Sequence, residues 1–206
     1  LAVLIATPVG VATAVYLTEY TRESVLTRII RFGADALAGV PSIIFGLFGF
    51  IFFVIRLRMG WSVLAGALTL AIMILPTIVR TSEEAIRAVP AALREVSVSL
   101  GGTKSQTVAR VVLPNSLPGI LTGVILGMGR SVAETAVLIF TAGSSLLMPR
   151  TVFDPARTMA VHFYILAREG LSMERAYGTA LLLIVSILVI NVVAYLLMFR
   201  VTRKLR

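Results

Sequence analysis

Five apolar runs, at residues 1–17, 34–55, 61–79, 115–140 and 176–199, decide most of what this chain can become. A helix needs about 20 mostly apolar residues to cross the hydrocarbon core of a bilayer. Backbone groups in lipid have no water to bond, so a segment of that kind satisfies them internally as a helix. The runs recur from one end of the 206 residues to the other, which predicts a single transmembrane domain over 1–206 with five spans. Composition agrees: 58% of the residues are hydrophobic and the mean hydropathy is +0.97, against about 45–50% apolar residues in a soluble domain.

The runs carry internal marks. Pro8 and Gly10 lie inside the first, and Pro76 predicts a bend in the third. Pro41 predicts a kink or a restart near the entry of the second, and Gly46 and Gly49 allow close helix approach. Between the first two runs, Val25, Leu26, Ile29 and Ile30 recur at helical spacing and predict a short interfacial helix. Trp61 suits a membrane boundary. Leu1 is preceded by neither a methionine nor a basic leader, so part of a longer protein is expected.

The net charge is +9. In a soluble protein this balance points to nucleic acid, but no aromatic–basic stacking pattern is present. The basic residues gather between the apolar runs and at the C-terminus, which fits lipid headgroups as partner. Segments 20–36, 80–113 and 200–206 together hold twelve Lys or Arg, and 56–60 with 143–175 hold six. Positive charge favours the cytoplasmic side, so 80–113 and the C-terminus are expected there, in a multi-pass plasma (inner) membrane protein. Cysteine is absent, which excludes disulfides, thiolate metal sites and cysteine nucleophiles. With His162 as the lone histidine, no histidine metal site is expected. There is no G-x4-GK[ST] phosphate loop and no nucleophile–base arrangement, so the chain is not expected to be an enzyme.

The polar stretch 80–114 interrupts the apolar pattern. Thr81 or Ser82 followed by Glu83 and Glu84 has the form of a helix start. Pro90 breaks it, a second piece runs to about Leu100, and Gly101-Gly102 forces a turn. Thr103-Lys104-Ser105-Gln106 has the form of a capping box and predicts another short helix. The expected shape is helix, glycine corner, helix.

Only Arg130 and Glu134 place charge deep within a predicted span. At a spacing of four they would share one helix face. Charge in the bilayer is costly and faces a bundle interior or a pathway. One reading is an ion pair that locks helices. The other is an oxyanion site: Arg130 offers a planar fork of donors, and Glu134 balances it or accepts a hydrogen bond from a protonated substrate oxygen. Hydrogen phosphate has such a proton and fully ionised sulfate does not. Ser131, Thr135 and Thr141 add hydroxyls that either join the pathway or bond back to the helix. Gly123, Gly127 and Gly129 thin the same span, for packing.

The sequence EVSVSLGGTKSQTVARVVLP at 95–114 resembles the E-A-A-x3-G-x9-I-x-L-P loop of ABC-importer permeases. Glu95, Gly101, Leu113 and Pro114 match; Val96, Ser97 and Val111 replace the two alanines and the isoleucine. Together with GVPSIIFGLFG at 39–49 and LPGILTGVILGMGRSVAETAVLIFTAG at 117–143, nearly the whole chain is similar to the PstA-type permeases of phosphate ABC importers. Val132-Ala133 departs from the family pattern just before Glu134. The resemblance implies an all-α polytopic membrane helix bundle of the type I ABC importer permease kind, with one more span ahead of Leu1. It implies a coupling loop to an ATPase through Glu95, Gly101, Gly102, Thr103, Lys104, Leu113 and Pro114, and a substrate pathway at Arg130, Glu134, Ser131 and Thr135. The partners it implies are a second, PstC-like permease subunit, two copies of an ATP-binding subunit that carry ATP and Mg, a periplasmic or lipoprotein phosphate-binding protein, and phosphate. No cofactor is expected on this chain. A PstC-type sibling, a permease for molybdate or sulfate, and a secondary anion carrier remain alternatives.

Overall fold

A computed structural model describes residues 1–21 and 23–204, with side chains described through Arg200. The terminal basic cluster of Arg203, Lys204 and Arg206 lies outside the described side chains, as does Arg22. Among the described residues the ordered elements are all helical.

Helix α1 (Ala2–Val15) passes Pro8 and continues as a π-helical turn, Tyr16–Tyr20. Helix α2 (Val25–Ala38) is capped by Ser24, whose Oγ accepts from the Thr27 amide at 3.3 Å. Its exposed residues Val25, Leu26, Ile29 and Phe32 form the apolar side expected of an interfacial helix. The chain restarts at Pro41 as α3 (Ser42–Gly49), which runs on as a π-helical segment, Phe50–Arg56. Between α2 and the α3 rod the axis bends by 102°, so the second expected span is one arm of a broken pair.

Helix α4 (Val63–Arg87) is the centre of the bundle, with α1 and α7 against it. Met73, Ile74, Ile78 and Ile86 are its fully buried large side chains. Its free N-terminal amides are satisfied from a distant loop: Val63 and Leu64 donate to the carbonyls of Asp154 and Val152 at 3.0 and 2.8 Å, and Ser62 Oγ accepts from Ala65 at 3.1 Å. The Asp154 carboxylate receives the Thr151 and Arg150 amides at 2.7 and 2.8 Å, and these bonds hold its pKa below the ordinary carboxylate value.

No helix begins at Thr81 or Ser82. Helix α4 runs straight through both to Arg87. Thr81 Oγ1 donates to the Thr77 carbonyl at 2.9 Å, and Ser82 is fully buried. Ion pairs carry the helix beyond the apolar zone: Glu83 takes Arg31 and Arg87, each at 2.7 Å, and Arg80 reaches Asp35 at 2.9 Å.

After Pro90 come α5 (Ala91–Ser99), the glycine corner and α6 (Lys104–Thr107). Helix α6 does not stand alone: it passes through a π-helical turn, Val108–Val112, into α7 (Leu113–Ala133), making one rod from Lys104 to Ala133. Pro114 explains the turn. It has no amide for the Arg110 carbonyl, so the regular ladder cannot close there. Asn115 Nδ2 instead donates to the Val111 carbonyl at 2.7 Å. The rod is followed by α8 (Ala136–Thr141), α9 (Met159–Arg168) and α10 (Met173–Lys204). Leu181, Leu182, Val185, Leu188, Val189 and Val192 of α10 are exposed, a surface that lipid covers at no hydrophobic cost.

Candidate functional site

Arg130 sits in the last turn of α7, where a cation complements the unpaired carbonyls of the helix end. The helix stops at Ala133. Glu134 is extended (φ −70°, ψ 130°), and Thr135 begins α8 without a side-chain cap. The continuous span expected over 115–140 is therefore broken at Glu134-Thr135, and Arg130 and Glu134 do not share one helix face. They still face each other, with Arg130 Nε 3.8 Å from Glu134 Oε1. This is a loose pair, well beyond the 2.7–2.9 Å of a charge-assisted hydrogen bond. The Arg130 side chain keeps 36% of its surface exposed and Glu134 keeps 15%. Irregular backbone at membrane depth is tolerated where it is buried in protein or lines a cavity.

Close packing of α8 accounts for the break. A Cβ on Gly46 would lie 3.0 Å from the Ala136 carbonyl and 3.1 Å from Val137 Cα. One on Gly66 would lie 3.0 Å from Leu138 and 3.1 Å from Ala142. Helices α3 and α4 thus present bare backbone to α8 and seat it apart from the α7 axis.

Around the pair, Ser131 Oγ donates to the Gly127 carbonyl at 2.9 Å and Thr141 Oγ1 to Val137 at 2.7 Å, so both hydroxyls bond back to their own helices. Sequence reasoning passed over Asn191. It is the lone amide in the apolar run of α10, and its Oδ1 lies 3.9 Å from where a Gly129 Cβ would be, one residue from Arg130. His162 Nδ1 lies 3.4 Å from an Arg157 guanidinium nitrogen. Among the described residues no group of three or more His, Cys, Asp or Glu could hold a metal.

The glycine corner has the expected geometry. Gly101 has φ +81°, which favours glycine. Its neighbour is required for a different reason, because a Cβ on Gly102 would sit 2.7 Å from the Ser97 carbonyl oxygen. The Gly102 amide donates to that oxygen at 3.0 Å, and Ser97 Oγ and Thr107 Oγ1 bond across the corner at 2.8 Å. The capping box is complete: Thr103 Oγ1 accepts from Gln106 N, and Gln106 Oε1 accepts from Thr103 N. Replacing Thr103 with Ala is expected to cost about 1 kcal/mol of local helix stability. Faster amide exchange confined to 103–107 would report it. Glu95, Lys104, Val96, Val98 and Leu100 are exposed on this structure.

Residues 6–206 match the family model of the binding-protein-dependent transport system inner membrane component. The chain belongs to that family. The phosphate transport system permease protein PstA 1 of Mycobacterium tuberculosis H37Rv is 38% identical, over all of this chain and 67% of that protein. The probable ABC transporter permease protein YqgI of Bacillus subtilis is 37% identical over 98% of this chain and 74% of its own length. PstA of Xylella fastidiosa Temecula1 is 34% identical over 97% and 70%. Among solved structures, the inward-facing MetNI methionine ABC transporter shares the fold, with a TM-score of 0.79 at 19% identity over 98% of this chain and 89% of that one. This inner membrane component is thus an all-α ABC importer permease, a transport subunit whose family works with an ATPase and a binding protein.

Proposed function

We propose that this permease translocates inorganic phosphate into the cytoplasm, driven by ATP hydrolysis on a partner subunit. The observation that carries the reading is Arg130 at the broken span, a donor fork held only loosely by Glu134. A tetrahedral oxyanion fits a guanidinium fork, and a protonated phosphate oxygen has an acceptor in the Glu134 carboxylate. Relatives named as phosphate permeases, at 34–38% identity, support the same substrate. Ser131 and Thr135 flank the pair and complete the proposed pathway, although Ser131 is engaged with its own helix.

The proposal includes the assembly. A second, PstC-like permease completes the pathway. Two ATP-binding subunits carry ATP and Mg, and a periplasmic or lipoprotein phosphate-binding protein delivers substrate from the far side. The glycine corner and the C-terminus face the cytoplasm, and Glu95, Gly101, Gly102, Thr103, Lys104, Leu113 and Pro114 link the spans to the ATPase. Exposed Leu93, Val96 and Leu100, at i, i+3 and i+7, give α5 an apolar face for that contact. Closure of the ATPases pushes the corner. Because α6 is continuous with α7, the push reaches Arg130 along one rod.

The test is labelled-phosphate uptake in cells lacking the chain and in cells with it restored, with sulfate and molybdate beside it. Recovery of phosphate uptake alone, blocked by vanadate, is the expected result. Recovery of a different oxyanion refutes the substrate, and vanadate-insensitive uptake refutes ATP drive.

A further inference from the structure

The end of the first span touches both arms of the glycine corner. From α5, Arg94 sends Nε and Nη2 to Glu19 Oε1 at 3.1 and 2.9 Å, across 75 residues of sequence. The same guanidinium donates to the Ile86 and Val89 carbonyls at the end of α4. From α6, Lys104 Nζ lies 5.4 Å from the centroid of the Tyr20 ring. Beneath these contacts Ala14, Ile86, Val89 and Val112 form a buried cluster, which joins α1, α4 and the α6–α7 rod.

We infer that Glu19 and Tyr20 are positioning residues through which the corner drives the first span, so that α1 moves with the α6–α7 rod during transport. The inference rests on the proposed importer and adds α1 to its moving parts. Glu19 is anchored for such a role. Its side chain is 12% exposed, and the helix end that carries it is tied off where Thr21 Oγ1 donates to the Leu17 carbonyl at 3.0 Å. The arms grip it by different physics. Arg94–Glu19 is a partly buried, two-donor ion pair whose partners are fixed on two elements. Lys104–Tyr20 is a cation–π contact on the outer side. A single contact would let the corner pivot on α1; two contacts, one on each side of Gly101-Gly102, oppose that rotation.

The experiment uses the complete transporter in vesicles and reads phosphate imported per ATP hydrolysed. In Glu19→Gln/Tyr20→Leu the ratio is expected to fall at least about fivefold, the low end of an allosteric coupling, while the subunits still co-purify and ATP is still hydrolysed. An unchanged ratio overturns the inference. The chain contains no cysteine, so Glu19→Cys/Arg94→Cys supplies its only thiol pair. Bridging that pair with a short bifunctional thiol reagent is expected to restore the ratio lost in the unbridged form. A bridge that leaves the ratio low, or halts uptake until it is cleaved, overturns the inference. So does failure of both variants to assemble, which assigns the contact to structure alone. Wild-type vesicles separate the two claims. If they show no ATP-driven phosphate uptake, the proposed function fails; if they show it and the variants match them, only the transmission contact fails.

Discussion

Phosphate uptake is expected to fall about a hundredfold or more in Arg130→Ala, while the chain is expected still to reach the membrane and co-purify with its partners. Arg130 is the only Lys or Arg in the sequence from 115 to 142, and its pair with Glu134 is 3.8 Å long. Losing a hydrogen bond to a charged group costs about 1.5–3 kcal/mol, and each 1.4 kcal/mol is tenfold. A dehydrated phosphate that loses a two-donor fork is expected at the upper end of that range. Assembly survives because Arg130 holds no helix in place: its ion partner is four residues away on its own segment. Arg130→Lys keeps the charge and loses the planar fork, so it is expected to fall between wild type and Ala. Glu134→Gln separates the two roles of the carboxylate. If Glu134 only balances charge, phosphate binding tightens in Gln; if it accepts the substrate proton, binding weakens and loses its preference for the protonated form. Normal uptake by Arg130→Ala, at normal expression, would refute the oxyanion site.

The corner was legible in the sequence and the break was not, for a physical reason. Gly101 and the Thr103–Gln106 box act through their own backbone within a few residues, so local pattern is enough to find them. Residues 131–136, Ser-Val-Ala-Glu-Thr-Ala, contain no Gly or Pro to announce an interruption. What interrupts the helix there is the approach of Gly46 and Gly66, distant in sequence, to α8. The supposed helix start at Thr81-Ser82 failed in the same way. A hydroxyl next to two glutamates looks the same at a cap as in mid-helix, and only the burial of Ser82 and Glu83 shows that the helix continues. The apolar runs overlap the long apolar helices Ala2–Tyr20, Val63–Arg87, Lys104–Ala133 and Met173–Arg200, and the second run falls on a bent pair. They could not show that 104–133 forms one rod, because Pro114 argues locally for a boundary and the π-helical turn absorbs it.

That rod meets α4 through Gly119, Gly123 and Gly127, spaced four apart against Ala85, Thr81 and Ile78. Gly123→Val is therefore expected to destabilise the bundle by about 3 kcal/mol or more, the upper end for overpacked cores. A Cβ at Gly123 would overlap Thr81 Oγ1 and come within 2.8 Å of Thr81 Cβ, which is helix framework and cannot swing aside. Gly123→Ala is the more discriminating substitution. Helix propensity alone favours Ala over Gly by about 1 kcal/mol, so propensity predicts stabilisation and the packing predicts the reverse. Gly178 supplies the control: it is helical, with nothing within 4 Å of an added Cβ, and Gly178→Ala is expected to be neutral or stabilising. Thr81→Ala in the Gly123→Ala background removes the overlapping hydroxyl and is expected to return part of the loss. Thermal unfolding of the detergent-solubilised transporter reads all four. If Gly123→Ala raises the midpoint as Gly178→Ala does, α4 and the rod are not in this contact, and the path from corner to Arg130 loses the helix that braces it.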